Sequence, residues 1–432
     1  MVRPSTRTPE HLRNHSLSFF DQMAPPFYVP LLYLYPNHDD NNNNIAPLLK
    51  LSLSKALSTY YPLAGSTGQG LHDPLTVRCN DEGALFLQAR MMSSPLASIV
   101  DDEARLRLLF PDDLAFRSTT ALSTPLVVQI TSFECGGMAL AVCASHKVLD
   151  MSSFCSFVNH WASSTAAGDR IEQVPVRFDL AALFPPVDVE VTKTFDPPNV
   201  ETVCRRFAFG GSSIGKLKAM MRRHGIENPT RVEAVLALVC SSAISAADSS
   251  SRSRPGSAFL TQAVNLRPRL TSPPSITTSS IGNLSSIFAM LIEAGAEMDL
   301  VSFVSTIRRV KTEYFETCSA EYSRGEDFRS FIVESTKVFR DAGSSEEVAA
   351  AEPRVYISSS WCNFPVYEAD FGWGKPVRVT TAAQELKDTI VLLDTKDGDG
   401  VEALVCLEER EMAAFQCDKM VLAFADINNQ GS

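Results

Sequence analysis

The run Met138-Ala-Leu-Ala-Val-Cys-Ala-Ser145 is apolar at every position but the last. A strand with one face in water alternates polar and apolar side chains, so a run without alternation must be covered on both faces. Leu126-Val-Val-Gln-Ile-Thr-Ser-Phe133 and a Glu-Cys-Gly-Gly turn precede it, which makes it the second arm of a hairpin. After it, Phe154, Phe157, Val158 and Trp161 recur at i, i+3, i+4 and i+7. That is the stripe of an amphipathic helix, with Ser152 or Ser153 as its N-cap and Gly168 as its end. A doubly covered strand next to such a helix predicts a layered α/β architecture with a mixed sheet.

The loop between strand and helix reads His146-Lys-Val-Leu-Asp150. A histidine emerging where a buried strand ends is placed to act as a general base, because an imidazole with a pKa near ~6.5 accepts and returns a proton at cell pH. Asp150 lies four residues on, a spacing that shares one face only if the segment is helical. With a loop there, the two side chains point apart, and Asp150 is expected to bind a cation elsewhere and fix the loop. No further His or Cys stands at metal-ligand spacing, so no metal is expected.

The chain has 432 residues, enough for two or three domains. The paired prolines bounding Phe184 to Pro198 forbid helix and make a poor central strand, which predicts a crossover loop at 184–203. It separates an N-terminal domain, 1–183, carrying His146 and Asp150, from a C-terminal domain, 204–432, carrying Asp370 to Gly374. Fifty acids against 39 bases give a net charge of −11, which argues against nucleic-acid and anionic-membrane partners. The basic group from Arg205 to Arg231 reads as a solvated helix face, with the phosphates of a nucleotide-like cofactor as the alternative. No apolar stretch approaches the roughly 20 residues a membrane helix needs, and the N-terminus lacks the apolar core of a secretory signal, so the cytoplasm is expected. The ten cysteines never form a Cys-x-x-Cys pair, and neither a disulfide framework nor a zinc site is expected. The sequons at Asn14 and Asn283 read as chance.

Two motifs mislead. Gly211-Ser-Ser213-Ile-Gly215 fits a serine-hydrolase elbow, but its only later histidine, His224, would lie on the helix this turn opens, so Ser212 and Ser213 read as helix caps. Asp394-Thr-Lys-Asp397-Gly-Asp399-Gly400 lacks the acid spacing of a calcium loop and reads as a turn between strands. Asp370-Phe-Gly-Trp373-Gly-Lys-Pro376 is the other dense segment. Its glycines allow close backbone approach, and the Trp373 N–H either stabilises a reacting oxyanion or belongs to a structural turn.

His146-Lys-Val-Leu-Asp150 and Asp370-Phe-Gly-Trp-Gly374 together resemble the H-x-x-x-D and D-F-G-W-G motifs of the plant BAHD acyltransferases. Leu17 to Asp21, Tyr60 to Gly65, Asn265 to Arg267, Ile281 to Ser286 and Ser360 to Cys362 resemble further family segments, and the likeness spans nearly the whole chain, nearest to the alkaloid and terpenoid acetyltransferase group. The resemblance implies two chloramphenicol-acetyltransferase-like α/β domains with a channel between them and His146 at its middle. It implies an acyl-CoA co-substrate, acetyl-CoA by preference, with no permanently bound cofactor, and a small-molecule alcohol as acceptor of a monomeric enzyme. An amine acceptor and a non-catalytic ligand-binding relative are the alternatives. By the same resemblance Asp150 turns away to pair with Arg267, Asp370, Gly372 and Gly374 shape the site, and Ser280, Asn283 and Lys375 meet CoA. His146 then removes the acceptor proton, with Trp373 as the oxyanion donor. Many members have Gly after the aspartate where this chain has Met151, which bears on acceptor choice.

Overall fold

The computed structural model describes residues 1–36, 45–67, 75–92, 94–111, 123–167, 175–187, 202–250, 256–270, 276–295, 299–325, 328–338, 353–382 and 386–426. They divide into two compact units. Unit 1 comprises Met1–Thr192, Pro273–Leu284 and Phe364–Ala382; unit 2 comprises Lys193–Ser272, Ser285–Asn363 and Ala383–Ser432. The expected division into contiguous domains is thereby corrected: a C-terminal domain does not run unbroken from 204 to 432, and Asp370 to Gly374 belong to unit 1. Contiguity fails because Arg378–Thr380 joins the first sheet as its edge strand and residues 282–284 hydrogen-bond to Asp21, Asp150 and Ser153. Most of the crossover at 184–203 lies outside the described residues.

Unit 1 holds a five-stranded sheet in the order Arg378–Thr380, Tyr28–Tyr35, Met138–Ser145, Leu126–Phe133, Leu85–Met91. It is antiparallel except for the last pair, so the sheet is mixed. The hairpin takes the residues its periodicity predicts, and every residue of Met138–Ser145 is buried. Ala139, Ala141 and Cys143 face a cluster with Leu106, Leu109 and Phe110. The opposite face carries Tyr35, whose ring meets Phe371 edge-on, and Phe371 in turn meets Trp161 at 5.0 Å. Trp161 belongs to the helix Met151–Ala167, so the sequence stripe is the buried stripe, and its Nε1–H donates to Ser52 of the helix Ile45–Thr59 at 3.0 Å. Each fully buried phenylalanine contributes about 1.5–3 kcal/mol to such a core.

The helix after His146 starts before Ser152 and Ser153, so neither of them caps it. It begins at Met151, and the Asp150 carboxylate accepts the Ser153 N–H at 3.0 Å in the manner of an N-cap. Met151 thus occupies an ordinary helical position and is absent from the residues with positive φ, so its backbone does not call for glycine.

Unit 2 holds a six-stranded sheet in the order Thr202–Phe209, Val401–Glu408, Thr389–Asp394, Arg354–Ser360, Ala258–Asn265, Ser285–Ile292. Arg354–Ser360 is parallel to both neighbours and the other pairs are antiparallel. Gly211–Arg223 is a helix capped by Gly210 without a side-chain bond, so Ser212 and Ser213 lie inside its first turn rather than capping it. Arg231–Ser250 is long and apolar enough to cross a membrane by length and composition, contrary to the expectation of no such stretch; 61% of its most apolar window is packed inside the protein. Cys204 and Cys406, directly opposed on antiparallel strands, form a disulfide. Neighbouring strands, not chain spacing, bring them together across 202 residues, and the expectation of no disulfide is corrected.

Candidate active site

His146 sits where Met138–Ser145 ends, its backbone N–H donating to Phe27 O at 2.9 Å. The Phe27 ring stands edge-on to the imidazole, 5.6 Å between centroids. On another side is Asn283, reached from a segment 137 residues away. The Asn283 Nδ2 donates to His146 O at 2.7 Å and to Asp21 Oδ1 at 2.8 Å. With its NH₂ spent on two acceptors, the amide oxygen is the atom that lies 3.1 Å from His146 Nδ1. An amide oxygen only accepts, so Nδ1 carries the proton and Nε2 holds the lone pair. Burial pushes the imidazole pKa below its ordinary 6.5, against the opposing pull of its hydrogen bonds and the Asp150 charge. The ring is therefore neutral at pH 7, the state a general base needs.

Asp21 belongs to a capping box. Its Oδ2 accepts the Ser18 N–H at 2.8 Å and the Ser18 hydroxyl at 2.7 Å at the start of the helix Phe19–Met23. Its Oδ1 accepts both the backbone N–H of Asn283, at 2.7 Å, and Nδ2. Gly282 makes this approach possible, since a Cβ there would lie 2.9 Å from Leu180 Cδ1 and its φ is +131°. Burial raises the Asp21 pKa against these donors. Lys147, pushed down to about 8 by burial, donates at 2.8 Å to Gln22 O, at the end of the same helix.

Asp150 is the second anchor of this segment. Its Oδ2 accepts the Leu284 N–H at 2.9 Å, while Ser153 Oγ donates to Gly282 O at 2.8 Å and accepts the Gly282 N–H at 3.1 Å. The carboxylate four residues from His146 thus fixes both the helix start and the strip that presents Asn283.

Asn283, expected at CoA, is 1% exposed, with both side-chain polar atoms engaged at His146 and Asp21. It holds the imidazole, and as a sequon it is sealed from modification. Asp21 was no candidate by sequence, although Ser18-Phe-Phe-Asp21 before an apolar run is a legible helix-start signal. Ser280 is fully buried, and the exposed Lys375 pairs with Glu368 at 2.6 Å. Arg267, in unit 2, is buried just beyond the strand Ala258–Asn265.

The Asp370 to Gly374 segment is a staple. Asp370 Oδ1 accepts the N–H groups of Gly372 and Gly374 at 2.8 and 2.9 Å, a curl that both glycines permit with φ of +104° and +98°. Phe371 and Trp373 stack at 5.6 Å, Trp373 also meets Tyr35 edge-on, and the Tyr35 hydroxyl donates to Ala369 O at 2.7 Å. This overturns the expected oxyanion role of Trp373. Tyr28 pairs with Ser145 and Tyr35 with Met138, so the strand places about 24 Å between the end bearing His146 and the end on which Trp373 packs. An oxyanion donor must lie roughly 3 Å from the reacting oxygen.

The profile of the family described as "Transferase family" matches residues 1–422. The 17,18-epoxy-17-hydroxycur-19-ene N-malonyltransferase of Strychnos nux-vomica is 34% identical over 435 residues, 99% of this chain and 89% of that one. The limonoid 1-O-acetyltransferase of Citrus sinensis is 33% identical over 447 residues, 99% of this chain and 97% of that one. The crystal structure of vinorine synthase superposes with a TM-score of 0.83 at 29% identity, covering 99% of this chain and 97% of that one.

Proposed function

We infer the activity from the premise that this chain belongs to the BAHD family of acyl-CoA-dependent acyltransferases. It moves an acyl group from a CoA thioester to a small-molecule acceptor, and our reading is that the group is acetyl and the acceptor a hydroxyl of a polycyclic alkaloid or terpenoid. One observation carries the chemistry: burial keeps His146 neutral, and the Asn283 amide oxygen holds its proton on Nδ1, leaving the lone pair on Nε2. In the reaction Nε2 takes the hydroxyl proton as the oxygen attacks the thioester carbonyl, and the histidinium returns that proton to the departing CoA thiolate. The transfer is direct, with both substrates bound together and no acyl-enzyme. The acidic surface charge suits a monomer working in the cytosol apart from nucleic acid and anionic lipid.

Relatives at 33 and 34% identity include both an O-acetyltransferase and an N-malonyltransferase, so an amine acceptor is the second reading. Incubation with acetyl-CoA and matched panels of polycyclic alcohols and amines, following free thiol, decides between them. We expect thiol release with alcohols. Release with amines alone would transfer the reading to N-acylation, and release with neither panel, from any acyl-CoA, would leave a binding protein.

A further inference from the structure

We propose that Asp21 is a positioning residue of the transfer reaction, acting through Asn283 to hold the tautomer of His146 and to offset the charge it acquires. The proposal rests on the acyl-transfer reading. The geometry behind it is a three-membered relay in unit 1: Asp21 Oδ1 to Asn283 Nδ2 at 2.8 Å, then Asn283 Oδ1 to His146 Nδ1 at 3.1 Å.

Helix capping does not account for this carboxylate. A cap needs one acceptor atom, and the two donors of Ser18 both go to Oδ2. Oδ1 is spent wholly on Asn283, and Asp21 is 3% exposed with no ion pair to a cation among the described residues. Lys147, the nearest base, sends its ammonium to the backbone oxygens of Asp21 and Gln22 rather than to the carboxylate. A buried anion with no cation in direct contact is costly, and four donated hydrogen bonds and the through-space attraction of Lys147 offset that cost only in part. Its return is at the imidazole. Without Asp21 the Asn283 amide loses one of the two acceptors that fix its orientation, and a flipped amide would offer N–H to Nδ1, placing the proton on Nε2 and removing the base. With Asp21 the amide oxygen is polarised toward the ring, so the positive charge arriving on His146 meets a negative charge two hydrogen bonds away.

The charged groups facing the ring are Asp150 from its own loop, the adjacent Lys147, and Asp21 through Asn283. Removing the Asp21 charge lowers the imidazole pKa further. Asp21→Asn should therefore reduce kcat about 10–100-fold with KM for both substrates little changed, and move the acid limb of kcat/KM to lower pH. Asn283→Asp, which brings a carboxylate against Nδ1, should move that limb to higher pH. Ser18→Ala weakens the cap and leaves Oδ1 with Asn283, so it should lower the melting temperature and leave the pH profile in place. Asp21→Asn with an unaltered kcat and acid limb would overturn the proposal, as would a Ser18→Ala profile shifted like that of Asp21→Asn. If Asp21→Asn fails to fold, the Asn283→Asp profile decides: an unshifted limb overturns the relay. His146→Ala with full turnover sinks the acyl-transfer reading itself, which separates the two failures.

Discussion

Each unit contains a buried polar network, and the two are built on opposite principles. In unit 2 the Arg354 guanidinium is shared by two carboxylates: Nε and Nη2 reach Asp388, while Nη1 and Nη2 reach Glu411 at 2.7 and 2.6 Å. Lys387 adds contacts to Glu408 at 3.0 Å and Glu411 at 3.5 Å. Burial alone would raise the Glu411 pKa, but Arg354 and Lys387 more than reverse it and hold the carboxyl below its usual range. Every carboxylate there has a cation in direct contact. In unit 1 the carboxylate of Asp21 is met by neutral donors, and the group at the far end of its hydrogen bonds is an imidazole that burial keeps uncharged. That network has room for one more proton. Carboxylates in direct contact with cations make a joint; an anion hydrogen-bonded only to neutral donors and facing a neutral base makes a site.

The comparison breaks if the networks can exchange consequences. The largest expected effect is on chemistry: His146→Ala should reduce turnover roughly 10²–10⁴-fold while the thermal midpoint stays near that of the native protein. Next, Arg354→Met should leave Asp388 and Glu411 without their shared cation and cost about 3–5 kcal/mol in denaturant unfolding, with kcat per folded molecule unchanged. A large loss of kcat in that variant, measured well below its unfolding midpoint, would show that the two regions are not independent. The smallest effect sharpens the boundary. Asp150→Ala removes the acceptor for Ser153 N–H and Leu284 N–H, which should cost about 1–3 kcal/mol and lower kcat through the loosened Asn283 and the lost pull of the Asp150 charge on the imidazole.

Local order was legible and distant order was not. Leu126–Phe133 and Met138–Ser145 follow from apolar runs flanking a Gly-Gly turn, and the Met151–Ala167 stripe from its spacing, because each depends on neighbours a few residues apart. The position of His146 at a strand end came from the same reasoning. Asn283 was assigned to the wrong partner because its meeting with Asp21 spans 262 residues, and no periodicity encodes that. Trp373 was assigned to chemistry because motif density says nothing about which end of a strand a loop will reach. Cys204 and Cys406 escaped notice for the same reason: their pairing is a property of strand register. Met151 takes ordinary helical backbone geometry, which spacing alone did not place.

That unit 1 is assembled from three pieces of chain has a consequence for anyone recombining relatives of this enzyme. A crossover placed at the proline-rich junction alone would transplant Met1–Thr192 without the strip bearing Asn283 and without the edge strand Arg378–Thr380. The recipient would have to supply both from a foreign background, and its histidine would inherit whatever amide that background happened to offer. Chimeras that keep native catalysis must therefore exchange all three segments as one block.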